Sequence, residues 1–303
     1  MDRIFDQEMK FSIKPNENNK QFFMQNDESI KNKIIKLLKD EFKDDIEISS
    51  QMKFGIDYFT EKFLNNENFT FVKYGDGELL CMLGAKGENC DFHPYTPKLG
   101  ELLKESFGKL LAFEDVYLAD WKDNLIDVRD MFIKSNKLNP KFADYDCFLT
   151  VHENIKNSKL INFYKLLKDS KRKKIFIGPK HLFQVEEMLN IDKLVEVPSA
   201  DAFSEYERIA QELKNDVENN NIYIFCCSMM SCVLCHDLKR INQNITLLDI
   251  GSGFDPIFSN KSRPKQPSRE NCHRYYRCIL PKNVIRKKNE IAQGILSKNS
   301  GLI

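Results

Sequence analysis

From residue 69 to residue 250 the sequence alternates short β-type runs with amphipathic helical stretches, and no other feature constrains the fold as much. The expected strands are 69–74, 116–119, 147–151, 174–177, 194–197, 222–227 and 245–250. Between them, segments 160–167, 182–189, 203–213 and 231–240 carry apolar residues at helical spacing. Strands alternating with helices predict an α/β fold with a mostly parallel sheet, covered on both faces. Several expected strands end in residues of polar or special-backbone character: Gly75-Asp76, Asp120, Gly178-Pro179, Ser228 and Gly251. In open α/β sheets, ligands bind at the carboxyl ends of the strands.

The flanks read differently. Residues 1–27 are polar, Asn-rich and aperiodic, which predicts a loose arm. Residues 28–68 read as a helical extension, with Ile30, Ile34, Leu37, Leu38 and Phe42 at helical spacing and a second stretch through Phe54, Ile56, Phe59 and Phe63. The main domain is expected over 69–260. The segment 261–303 reads as a basic tail containing Arg263, Arg269, Arg274, Arg277 and three prolines. That tail either covers a sheet edge or acts as a lid whose arginines reach a diphosphate.

With 303 residues the chain can bury roughly three quarters of its unfolded surface, so it needs no staple to fold. Its net charge of +1 gives no global reason to expect nucleic acid or an anionic membrane as partner. The N-terminal residues lack the apolar stretch of a signal peptide, and the run 223–238 falls short of a transmembrane segment. A cytoplasmic protein with reduced thiols is expected, since the cysteine count of nine is odd.

Four constellations bear on chemistry. The first is Gly75-Asp76-Gly77-Glu78, where a strand hands over to a helix. Two carboxylates separated by one glycine can present oxygens to a hard divalent cation, Mn²⁺ or Mg²⁺, while the helix N-terminus favours an anion. Equally, Asp76 can be the helix N-cap with Glu78 in the first turn. The second, Asp249-Ile250-Gly251-Ser252-Gly253, imitates the glycine-rich first motif of methyltransferases, although only a permuted enzyme would leave so little chain after it. The third is the cysteine cluster Cys226, Cys227, Cys232 and Cys235, whose strand-and-helix context favours packing over metal binding. The fourth is Gly178-Pro179, a turn that either holds a nucleotide by its backbone or simply ends a strand.

The order of these motifs resembles that of the GT-D-fold glycosyltransferases, whose Asp-x-Glu motif sits early in a Rossmann-like domain. The likeness runs over about residues 55–260, from Gly75-Asp76-Gly77-Glu78 to the late Asp249-Ile250-Gly251. It implies a metal-assisted enzyme that moves a sugar from a nucleotide-diphosphate sugar, such as a UDP-sugar, to a hydroxyl acceptor on a glycan or other molecule. By this resemblance Asp76 and Glu78 serve the metal and the diphosphate. Gly75, Gly77, Gly178, Pro179, Ser228, Asp249 and Gly251 line the nucleotide, helped by Arg269 and Arg274 from the tail. Ser252 stands where a histidine would be more familiar, so Asp255 is the substitute candidate for the catalytic base. A permuted methyltransferase that binds S-adenosylmethionine, or a non-catalytic nucleotide-sugar-binding domain, are the alternatives.

Overall fold

A computed structural model describes residues 53–120, 125–259, 263 and 265–281. The expected polar arm and the helix over 30–42 lie outside the described residues, as does the tail beyond residue 281. Seven strands form one sheet: β1 Thr70–Val72, β2 Val116–Asp120, β3 Lys141–Asp144, β4 Lys174–Pro179, β5 Lys193–Val197, β6 Ile222–Phe225 and β7 Thr246–Asp249. Their spatial order is β3-β2-β1-β7-β6-β4-β5, and every pairing is parallel. The helices, in chain order, are α1 Ile56–Leu64, α2 Asp76–Met82, α3 Pro97–Leu110, α4 Ile126–Ser135, α5 His152–Asn157 and α6 Lys159–Asp169. They continue with α7 Val185–Leu189, α8 Tyr206–Lys214, α9 Met230–Ile241, α10 Asp255–Phe258 and α11 Arg269–Tyr275.

The inner strands are buried on both faces, which a parallel sheet requires because its crossover helices cover both sides. Alternate residues feed two separate cores. On β6, Tyr223 and Phe225 join the core under α3, α8 and α9, whereas Ile222 and Ile224 join the core under α1, α6 and α7. Phe59 of α1 is fully buried in the second core, with its ring 5.0 Å from Phe69, 5.1 Å from Tyr117 and 5.4 Å from Phe148. The α3 helix starts as its sequence dictates: Thr96 Oγ1 accepts the Leu99 N–H at 3.2 Å and Pro97 takes the first turn.

One expected strand is not a strand. Residues 147–151 form a turn, in which Cys147 N–H donates to the Asp144 carbonyl and Leu149 N–H to that of Asp146. The run is apolar because Phe148 plugs the core from that turn, 4.9 Å from the Phe71 ring. The third strand precedes it, at Lys141–Asp144, and its exposed ends mark it as a sheet edge. Two expected helices begin with a single tight turn, at Lys180–Leu182 and Ala202–Glu205, before α7 and α8. Among the described residues no helix is long and apolar enough to cross a membrane.

From β1 the chain builds outward through β2 and β3, whereas β4 to β7 occupy the other half of the sheet. The β1/β7 seam is therefore the point where strand order reverses. Its carboxyl end is the natural crevice of such a sheet.

Candidate active site at the β1/β7 seam

Helix α2 begins directly after β1. Its N-cap is Gly75, with Asp76 as first helical residue and Glu78 in the third position. The expected cap at Asp76 is thus displaced by one residue. Glu78 reaches back so that its Oε2 accepts the Gly75 N–H at 2.9 Å, the acidic half of a capping box. Capping and a ligand-facing role are not exclusive here, because Oε2 alone is used for the cap. Asp76 stands in the same first turn, where the helix N-terminus favours a carboxylate.

The other side of the seam brings Asp249. This buried carboxylate accepts the Lys73 backbone N–H through Oδ2 at 3.3 Å, tying the end of β1 to the end of β7. Gly251 follows with φ of +56°, a conformation that disfavours side chains. A Cβ at that position would also stand 2.4 Å from Lys73 Nζ, so the lysine tip would have to move aside. The Lys73 ammonium lies 5.8 Å from the centre of the Tyr145 ring.

Electrostatics show that these groups share one space. Burial pushes the Glu78 carboxyl up to about 8, and the charges of Asp249 and Asp76 add to the effect. Burial also raises Asp249, to about 6, against the opposing pull of Lys73. The Tyr145 phenol is raised by burial and by Glu78 and Asp249, and that of Tyr95 by burial and by Asp76 and Glu78. A set of carboxylates that repel one another in a desolvated crevice is an arrangement a cation relieves.

The remaining expected site residues lie at four places, after β6, at the start of α10, in β4 and in α11. Ser228, with φ of +56°, follows β6 and its Oγ accepts from Asn89 Nδ2 at 2.8 Å. Asn89 in turn packs against Gly77, which links the β6 end to α2. Asp255 opens α10 and lies 4.0 Å from His181 Nε2. Gly178 and Pro179 fall inside β4, and a Cβ on Gly178 would strike the Phe176 ring at 2.5 Å, which gives this glycine a packing reason. Gly253 has a packing reason too, with Ile250 Cγ2 at 2.4 Å from a Cβ there. Arg269 and Arg274 belong to α11, where Arg269 Nε meets His273 Nε2 at 3.4 Å. Arg274 lines a surface notch of about 260 Å³ with His152 and Tyr275.

Sequence reasoning gave no role to Lys73 or Tyr145, and Arg263 entered it only as one of the arginines of the basic tail. Arg263 Nη2 pairs with Asp91 at 2.5 Å and its Nη1 donates to Cys90 Sγ at 3.2 Å. Its charge is felt by Tyr145. The only advance signal for Lys73 was a charged residue at the end of an otherwise apolar strand. The four clustered cysteines are free thiols, Cys226 and Cys227 just after β6 and Cys232 and Cys235 in α9: Cys232 Sγ donates to the Lys73 carbonyl at 3.0 Å, and Cys227 Sγ lies 3.2 Å from Ser231 Oγ.

No protein-family model matches the sequence, and no curated protein matches it either. Among solved structures, the chain is similar to a selenomethionine-substituted domain of unknown function 1792, with a TM-score of 0.50 and 17% identity, over 77% of this chain and 91% of that one. A second structure is described in the words "the highly conserved domain of unknown function 1792 has a distinct glycosyltransferase fold". It aligns with a TM-score of 0.49 and 18% identity, over 75% of this chain and 89% of that one. Likeness at such identity speaks to fold and not to chemistry. This chain shares the α/β fold of the domain of unknown function 1792.

Proposed function

We propose that the protein is a glycosyltransferase of hexosyltransferase type, which moves a sugar from a nucleotide-diphosphate sugar, a UDP-sugar first, to a hydroxyl acceptor. The observation that carries this reading is the meeting of Asp76 and Glu78 with Asp249 at the β1/β7 seam, where an open parallel sheet takes its ligand. The donor diphosphate lies along the first turn of α2 and the loops at Ser228 and Gly251 in this reading.

Asp76 and Glu78 fit a Mn²⁺ or Mg²⁺ ion. Carboxylate oxygens suit hard cations, and such an ion offsets what lifts the Glu78 carboxyl, burial first and the charges of Asp249 and Asp76 second. Among the described residues no group of three or more His, Cys, Asp and Glu side chains forms a ligand cage. The two carboxylates would therefore share the ion with water and phosphate oxygens, as Mg²⁺ sites commonly do. When bound, the ion supplies Lewis-acid stabilisation of the departing nucleoside diphosphate. Asp255, beside His181, is assigned to take the acceptor proton.

The test is donor hydrolysis over a set of UDP-, GDP- and dTDP-sugars with Mn²⁺, since a transferase without acceptor slowly passes its sugar to water. At least one donor should be turned over. Asp76→Asn and Glu78→Gln keep shape and hydrogen bonding, and each should lower that turnover by about 100-fold or more. Undiminished metal-dependent turnover in both variants would refute the assignment.

A further inference from the structure

Among the described residues, the other buried lysines, Lys174 and Lys239, have hydrogen bonds supplied by the chain. Lys174 Nζ donates to the Ser170 carbonyl at 2.8 Å and to that of Arg172 at 3.3 Å. Lys239, fully buried, pairs with Asp115 and donates to the Gln243 carbonyl at 2.8 Å. Such satisfaction is expected, because an ammonium has three donors and burying them unused is costly.

Lys73 breaks this pattern. It is 7% exposed, and its main chain is fixed on both sides, by Asp249 at 3.3 Å and by the Cys232 thiol at 3.0 Å. Among the described residues nothing hydrogen-bonds its ammonium and no carboxylate comes within ion-pair reach; it has the Tyr145 ring at 5.8 Å and the field of Asp249. The ammonium is held at the carboxyl end of the central strands. Gly251 keeps its path clear, since a Cβ there would stand 2.4 Å from Nζ. Lys73 Nζ is not among the fully buried polar atoms that lack a partner, so the ammonium opens to solvent at the crevice, where an acceptor on an arriving ligand can replace water.

We propose that Lys73 is a built-in cation of the site and donates to a phosphate oxygen of the bound ligand, so that phosphate binding persists when divalent ions are removed. The inference rests on the nucleotide-sugar reading for the nucleoside half of the ligand, whereas the phosphate half follows from Lys73 itself. A purely structural Lys73, present to balance Asp249, would leave affinity alone and change only stability.

Calorimetric titration of the full chain in EDTA, with UDP, GDP, dTDP and inorganic pyrophosphate, tests this directly. Wild-type protein should bind at least one of the four, and Lys73→Met should weaken that binding at least tenfold. Equal affinity in wild type and Lys73→Met would overturn the role of Lys73 while leaving the glycosyltransferase reading standing. Binding of pyrophosphate without any nucleoside diphosphate would support the Lys73 site and count against a nucleotide-sugar donor. Failure of all four to bind the wild type at millimolar concentration would overturn the anion site. Should Lys73→Met not fold, acetic anhydride labelling of the wild type read by mass spectrometry replaces it: the ligand should protect Lys73, and labelling that ligand does not change would overturn the proposal.

Discussion

The Glu78 carboxylate accepts the Gly75 N–H while standing in the fields of Asp249 and Asp76. Its ordinary value is 4.5, and burial with those neighbours lifts it to about 8 in the folded chain. Across that interval the native state binds more protons than the unfolded one, so stability falls as pH rises. Asp249, lifted from 3.8 to about 6, acts in the same direction at lower pH. Without divalent ions the melting temperature should drop by a few degrees, roughly, between pH 5 and pH 8.5. Glu78→Gln keeps an acceptor for Gly75 and should flatten that slope, melting above wild type at pH 8.5. A wild-type melting temperature that climbs over the same range would show that the carboxyl is not held protonated. Much of this residue pattern was legible in advance: Asp76, Glu78, Asp249 and Gly251 do come to one seam. The cap was read one residue late because a glycine N-cap has no side chain to announce it. Lys73 and Tyr145 escaped notice because their significance depends on neighbours far away in sequence.

At the scale of elements, α1 acts as a lid of aromatic rings over β1 and β2. Phe59 meets Phe69, Phe71, Tyr117 and Phe148, with centroids 5.0 to 5.9 Å away. Removing that ring should cost about 3–5 kcal/mol in Phe59→Ala, measured by urea denaturation. Leu64, on the same helix but 60% exposed, is the control, and Leu64→Ser should change stability by less than about 0.5 kcal/mol. A Phe59→Ala variant as stable as wild type would mean that α1 does not pack on the sheet. The spacing of Ile56, Phe59 and Phe63 made this helix readable, as continuous apolar runs did for the inner strands. The edge strand β3 was hidden for the opposite reason. Its short Lys-Phe-Ala-Asp run is half exposed, and the more apolar Cys147-Phe148-Leu149 nearby belongs to a turn. Hydrophobic density reports burial, and only pairing partners decide whether the buried residue is in a strand.

At the scale of the molecule, the sheet hides most of the chain's thiol chemistry. All nine cysteines are free, and only Cys90 and Cys278 are exposed. Ellman's reagent should therefore titrate about two thiols in the native protein and all nine in denaturant. Rapid reaction of four or more native thiols would contradict the packing of Cys226, Cys227, Cys232 and Cys235. The same sheet also fixes an order of events. The β1 strand lies beside β7, and the hydrogen bond that closes their seam joins residues 176 positions apart. During synthesis β1 thus leaves the ribosome long before its inner neighbour exists, with a strand edge open that the finished sheet buries completely. Such long-range pairing folds slowly and exposes intermediates to aggregation. No nascent chain shorter than Asp249 can assemble the carboxylate cluster, so the protein gains its candidate chemistry in a single late step, when the strand translated last slides into the middle of the sheet.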